Sequence, residues 1–340
     1  MAIPYSSTTL FTASQFQLSQ KSLSHTKSIT KCCEIREQVL KFNNNNGFSE
    51  TSLLHHSAAL KSPRPRRIIL VRHGESEGNV DESTYTRVAD PKIELTEKGK
   101  IDAEQCGETI RELISKDGAT DWKVYFYVSP YKRTRQTLQH LGRAFERSRI
   151  AGLREEPRLR EQDFGNFQDR EKMRVEKAIR NRYGRFFYRF PNGESAADVY
   201  DRITGFRETL KSDIDVGRFQ PPGERNPEMN LVIVSHGLTL RVFLMRWYKW
   251  TVEQFERLNN LGNGKIIVMG KGYGGRYSLL VHHTKEELKE FGLTEEMLID
   301  QEWQKMAKIG ELNYDCPTMK SFFPHFEAEE CETLYHGEIY

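Results

Sequence analysis

The chain has 340 residues, with 51 Lys/Arg against 48 Asp/Glu and a formal net charge of +3, a balance that gives no bulk attraction to nucleic acid. Five scattered cysteines (Cys32, Cys33, Cys106, Cys316, Cys331) include no C-x-x-C pair, which argues against a disulfide framework or a zinc site. No apolar run reaches the roughly 20 residues of a membrane-spanning helix, so neither nucleic acid nor membrane is the expected partner.

Residues 1–33, "MAIPYSSTTLFTASQFQLSQKSLSHTKSITKCC", are rich in Ser and Thr, carry lysines and contain no acidic residue. That is the composition of an organelle transit peptide, and the excess of Ser and Thr over Arg leans towards the chloroplast. The plain alternative is a disordered polar tail, which would also take in the low-complexity patch "FNNNNG". Residues 1–66 therefore form a leader, expected to be disordered, that closes in the stiff basic linker "KSPRPRR". Residues 1–67 hold nine Lys/Arg against three Asp/Glu, leaving 42 against 45 for residues 68–340. The body is close to neutral, so any anion-binding role has to come from a local cluster.

Ordered sequence starts at residue 67. Three short β-rich runs, "RIILV" (67–71), "VYFYV" (124–128) and "LVIV" (231–234), are predicted strands. Between them, "LTEKGKIDAEQCGETIRELI" (95–114) sets Ile101, Cys106, Ile110 and Leu113 near helical spacing. The run "SAADVYDRITGFRETL" (195–210) opens with Ser195 and Asp198, a cap and third-position pair that marks a helix start. Strands alternating with helices predict an α/β fold, a three-layer α/β/α sandwich with a mostly parallel central sheet. Two later runs, "KIIVMG" and "RYSLLV", joined by "KGYGG", predict a closing hairpin.

In residues 169–195, Val175, Ile179, Tyr183, Phe186 and Phe190 step by four, four, three and four, a helix face able to bury. The basic residues fall mostly elsewhere. The segment is expected to be either a packed amphipathic helix or a lid whose Arg180, Arg182 and Arg185 steer an anionic substrate. Residues 67–283 form the expected folded domain, and residues 284–340 a partly helical extension that either packs on the core or stands out as an arm.

All three predicted strands end alike: Arg72-His73-Gly74, then Ser129-Pro130-Tyr131-Lys132-Arg133, then Ser235-His236-Gly237. In an open α/β sheet the ligand lies beyond the carboxyl ends of the strands, so Arg72, His73, Arg133 and His236 are expected to converge. Mutually repelling groups in one small volume point to an anion, most simply a phosphate held by planar arginines. A neutral imidazole can attack phosphorus and carry the phosphoryl group. Phosphoryl transfer otherwise asks for positioning and charge neutralisation, which Arg72, Arg133 and His236 supply, with Asn79 as a neutral donor. No metal or cofactor is expected. The leaving alkoxide needs a proton, and Glu161 in "RLREQDFGNF", set among Arg158, Arg160 and Phe164, is the candidate acid.

The stretches "LVRHGESEGN", "VSPYKRTRQT", "LREQDFG", "FPNGES" and "SHGLTLR" resemble the successive motifs of the histidine phosphatase superfamily, also called phosphoglycerate mutase-like, over roughly residues 67–283. The resemblance implies that His73 becomes phosphorylated and that Glu161 donates and then accepts a proton. It implies also that Arg72, Asn79, Arg133 and His236 hold the phosphate, with Gly74 allowing close approach and Gly237 beside it. His236 then steadies the phosphoryl group and is not a nucleophile. One departure is Asp169, where relatives often have a second glycine, so the loop behind Glu161 is expected to differ in shape. The implied activity is metal-free hydrolysis of small phosphorylated metabolites, of carbohydrate metabolism above all. A phosphoglycerate mutase and a catalytically silent phospho-ligand binder are the alternatives. Mutases carry an adjacent Arg-Arg pair where this chain has Arg180-Asn181-Arg182, which favours the phosphatase. A rival Gly-x-Ser-x-Gly, Gly74 to Gly78, would make Ser76 an esterase nucleophile. That elbow needs strands upstream, and Ser76 is flanked by Glu75 and Glu77, so the motif is expected to be coincidental.

Overall fold

The computed structural model describes residues 63–165, 169–220 and 226–314, together with positions 319, 322, 323 and 325. The leader up to residue 62, and with it the transit-peptide reading, lies outside the described residues, as does most of 315–340.

Strands β1 (Arg67–Arg72), β2 (Lys123–Val128), β3 (Ile150–Glu155), β4 (Met229–Ser235), β5 (Ile266–Lys271) and β6 (Tyr277–Ser278) form one sheet in the order β3-β2-β4-β1-β5-β6. The first four are mutually parallel; β5 runs antiparallel to β1, and β6 to β5. The hairpin forms, but β6 has only two residues, and "LLV" turns into a 3-10 helix that buries Leu279 and Leu280. Strand β3 was not among the predicted strands. It sits at the sheet edge and alternates half-buried with exposed residues, so it lacks the apolar run of its neighbours.

The main helices are α1 (Glu97–Ser115), α2 (Lys132–Leu141), α3 (Arg170–Tyr183), α4 (Ala196–Asp215), α5 (Gly237–Tyr248), α6 (Val252–Arg257), α7 (Lys285–Phe291) and α8 (Glu295–Met306). The pleat sends alternate strand residues to opposite faces. Ile68, Leu70, Leu231 and Ile233 pack with α4 and α5, while Ile69, Val71, Val232 and Val234 pack with Cys106, Ile110 and Ile114 of α1. This is the three-layer sandwich. Helix α4 starts on the expected capping box, Ser195 Oγ accepting from Asp198 N.

Two expectations change, and one open alternative closes. Ile101 is 54% exposed, and the buried face of α1 runs instead through Ala103, Cys106, Ile110 and Ile114. Val175, Ile179 and Tyr183 on α3 are exposed, whereas Phe186 and Phe190 are buried but lie beyond the helix end at Gly184. Gly184 has φ +105°, a left-handed conformation that stops the helix, so the four-residue stepping never becomes one face. Lastly, the tail helices are no arm: Leu288, Phe291, Met297 and Leu298 join the core that α4 and α5 share with the sheet.

Candidate active site

The site follows from the strand order. β4 lies between β1 and β2, in register Arg72↔Ser235 and Val128↔Val234. Three chain crossings therefore end side by side, and helices α2 and α5 begin there with their N-termini towards the same space.

His73 continues the β1–β4 ladder through its N–H to Ser235 O (3.0 Å), and its carbonyl accepts from Gly264 N (3.1 Å). Its ring is 4% exposed, with Nδ1 2.7 Å from Gly74 O. A carbonyl only accepts, so Nδ1 carries the proton and Nε2 keeps its lone pair. Burial holds the imidazole well below the usual histidine range, helped by the Arg133 charge. His236 packs edge-on against it at 5.3 Å between ring centroids and is fully buried. Its Nε2 is 2.8 Å from Ser129 Oγ at the end of β2. It too is held well below the usual range, by burial and then by Arg133 and His73.

Arg133 is 2% exposed and donates through Nη1 to both the carbonyl (2.8 Å) and the carboxylate (2.6 Å) of Asp90. Burial pushes the Asp90 carboxyl up, against the pull of Arg133. Arg72 donates to Leu261 O. Its pKa is lowered by burial, with Glu161 opposing. Two buried donors, Arg72 Nε and Arg133 Nε, and the ring nitrogen His236 Nδ1 have no hydrogen-bond partner among the described residues. Unmatched buried donors are costly, and an oxyanion is the ligand that matches them.

A cavity of about 250 Å³ is lined by Arg72, His73, Asn79, Arg133 and Glu161, so five of the expected residues meet at one space. Glu161 Oε1 accepts from Gln162 N (3.0 Å) and from Thr239 Oγ1 (3.1 Å) at the start of α5. Asn79 Oδ1 is fully engaged, by Ser76 N (3.1 Å), Ser76 Oγ (2.9 Å) and Asn263 Nδ2 (2.9 Å), which leaves its amide NH₂ as the donor towards a ligand. Ser76 is fully buried and serves as the N-cap of the single turn Glu77–Val80. That is a structural role, and the esterase reading falls with it.

A second cavity of about 230 Å³ shares Arg72, Glu161, Phe164, Lys177 and Asn260 with the first and adds Arg180, Arg185, Gly237 and Arg241. Here the expected lid set changes. Arg180 and Arg185 reach the cavity, Arg182 is exposed and lines neither space, and Arg241 joins instead. Burial and the nearby Arg185 push the Arg241 guanidinium down to about 10. Gly74 is also reassigned. It lines neither cavity; a Cβ there would lie 2.2 Å from Gly99 O, so the glycine is needed to seat the loop on α1. Asp169, the departure from the family pattern, caps α3 by accepting from Glu171 N (3.0 Å) and Lys172 N (3.1 Å).

Asp90, Ser129, Thr239, Asn263 and Arg241 were not singled out as site residues from sequence. Arg241 could have been, since it lies one helical turn after Gly237 on α5. Asp90 opens a short 3-10 turn (Asp90–Lys92) and Asn263 sits in a turn before β5, and both meet the site only through the fold.

Both buried histidines make the site acid-sensitive. Between their lowered folded values and the ordinary 6.5, the unfolded chain binds protons that the folded site refuses, so stability falls as pH drops below about 6.5. Each contributes up to about 1.4 kcal/mol per pH unit. Denaturant titrations from pH 7.5 to 5.5 should show a shallower dependence of stability on pH for His236→Asn, by about half a proton on average and approaching one at the acid end. An unchanged slope would contradict the buried neutral state.

A buried neutral imidazole among arginines at the ends of parallel strands is equipment for phosphoryl transfer. The chain belongs to the histidine phosphatase superfamily, branch 1, whose model matches residues 68–284, from β1 to the N-cap of α7. It is similar to two Arabidopsis thaliana proteins. Phosphoglycerate mutase-like protein AT74 is 56% identical over 275 residues, 79% of this chain and 86% of the relative. Phosphoglycerate mutase-like protein AT74H is 54% identical over 245 residues, 71% and 86% respectively. The broad-range acid phosphatase DET1 of Saccharomyces cerevisiae is 32% identical over 293 residues, covering 61% of this chain and 85% of its own length.

Proposed function

We propose that this protein hydrolyses small phosphomonoesters through a phosphohistidine at His73. The observation that carries the reading is the His73 ring itself: buried, neutral, with Nδ1 tied to Gly74 O and Nε2 free beside Arg72 and Arg133. His73 Nε2 attacks phosphorus as the ester P–O bond breaks, and the Glu161 carboxyl gives its proton to the leaving oxygen. Water then attacks the phosphoryl group and Glu161 takes up a proton from it. The P–N bond breaks, releasing inorganic phosphate and restoring the Nε2 lone pair. Arg72, Arg133, His236 and the Asn79 amide hold the equatorial oxygens throughout. Because burial holds the ring well below the usual histidine range, the scheme suits an acid phosphatase, which is what the yeast relative is named.

The two adjoining cavities suit a small metabolite, and Arg180, Arg185 and Arg241 suit a second anionic group on it. That cationic half also favours a second reading, a mutase that returns the phosphoryl group to another hydroxyl of a bound phosphoglycerate. Incubating the protein with a panel of sugar phosphates and phosphoglycerates separates the two. Stoichiometric phosphate release is expected. Interconversion of glycerate positions without net phosphate would establish the mutase instead. A role in plastid carbohydrate metabolism is the accompanying proposal, supported by the composition of residues 1–33. A fusion of residues 1–65 to a fluorescent protein tests it, and a purely cytosolic signal would refute it.

A further inference from the structure

Glu161 lies just after the 3-10 turn Pro157–Leu159, on described residues 160–165 that belong to no strand or helix. The largest share of the work of holding it falls to one side chain. Arg202, in the second turn of α4, donates through Nη1 to Arg158 O (2.6 Å) and Arg160 O (2.9 Å) and through Nη2 to Glu161 O (3.1 Å). Its Nε and Nη2 also donate to the two carboxylate oxygens of Glu194, each at 3.0 Å. A guanidinium has five N–H bonds, and here all five have acceptors. A cation present only to balance Glu194 would need two of them; the other three are spent on the main chain that carries Glu161.

Glu194 closes the arrangement. Its Oε2 accepts from Asp163 N (3.0 Å), its N–H donates to Asp163 O (2.7 Å), and its carbonyl accepts from Gln162 Nε2 (2.8 Å). The pair is nearly buried, with side chains 10% and 14% exposed. Neither residue lines either cavity. From the other side, Thr239 Oγ1 bonds Arg160 O (2.8 Å) and Glu161 Oε1 (3.1 Å). Glu161 is thus held by its main chain from α4 and by its carboxyl from α5.

We propose that Arg202, braced by Glu194, is a positioning residue that fixes the Glu161 carboxyl where the leaving oxygen departs. The proposal rests on Glu161 being the proton donor. Its signature lies in leaving-group dependence. A misplaced acid costs most when the leaving group is an alkoxide and least when it is a stable phenolate that needs little protonation. An error of about 1 Å costs on the order of 10²-fold. Lysine keeps the charge but offers three donors at one point, so it cannot span the carbonyls of Arg158, Arg160 and Glu161.

The test compares kcat/KM for glycerol phosphate and p-nitrophenyl phosphate in wild type, Arg202→Lys and Glu161→Gln. For Arg202→Lys we expect roughly 10²-fold loss on the alkyl ester and less than about threefold on the aryl ester. Glu161→Gln should follow the same pattern more steeply. Equal loss on both esters with Arg202→Lys, or none, while Glu161→Gln stays selective, would overturn the positioning role and leave the proton-donor reading standing. A Glu161→Gln variant that treats both esters alike would instead remove that reading, and the proposal with it. Should Arg202→Lys not fold, the neutral pair Arg202→Gln with Glu194→Gln leaves no unpaired buried charge and carries the same comparison.

Discussion

Replacing His73 with alanine is expected to lower kcat by at least about 10⁴-fold, the scale seen when a covalent nucleophile is removed. Neither candidate beside it among the described residues can take its place: His236 is fully buried with Nε2 engaged by Ser129, and Ser76 is buried as a helix cap. The loss should be one of chemistry and not of binding, because Arg72 and Arg133 remain. Inorganic phosphate should still raise the melting temperature of His73→Ala, as it does for any protein whose folded state alone binds the ligand. Turnover by the variant above one per cent of wild type would place the nucleophile elsewhere.

The second large effect belongs to Arg133. Its guanidinium is the buried cation nearest both histidines in effect, depressing each of them, and it is aimed by Asp90 at 2.6 Å. Arg133→Ala should cost roughly 10³-fold in kcat/KM, as losing a preorganised charge at a transferring phosphoryl group does. Part of that cost is indirect, since the variant leaves the Asp90 carboxylate facing the phosphate without its partner. The double variant Arg133→Ala with Asp90→Ala should therefore recover about tenfold relative to the single one, a coupling of the kind double-mutant cycles resolve. No recovery would show that Asp90 serves only to hold its loop.

The parts of this architecture that could be read from residues are those where local pattern and global position agree. Runs of β-branched residues mark β1, β2 and β4, because a strand buried on both faces has no polar period to interrupt it. Their polar ends predict the convergence of Arg72, His73, Arg133 and His236, since parallel strands in one sheet share a carboxyl edge. Ser195 with Asp198 marks the start of α4 because the capping box is wholly local. What was not legible depends on contacts distant in the chain. The Val175-Ile179-Tyr183 period shows which side of α3 is apolar, but not that these three side chains stay exposed. Gly74 looks like room for a ligand until Gly99 is seen against it. Arg202 reads as one more surface cation of an amphipathic helix, and only the fold lays residues 158–161 across it.

The central claim is a covalent bond between His73 Nε2 and phosphorus. Mixing the enzyme with a ³²P-labelled phosphomonoester, quenching within milliseconds and digesting the protein tests it directly. An acid-labile, base-stable label is expected on the peptide containing His73, formed and lost at rates compatible with turnover. Turnover with no such label, or an acid-stable label on Ser76, would contradict it.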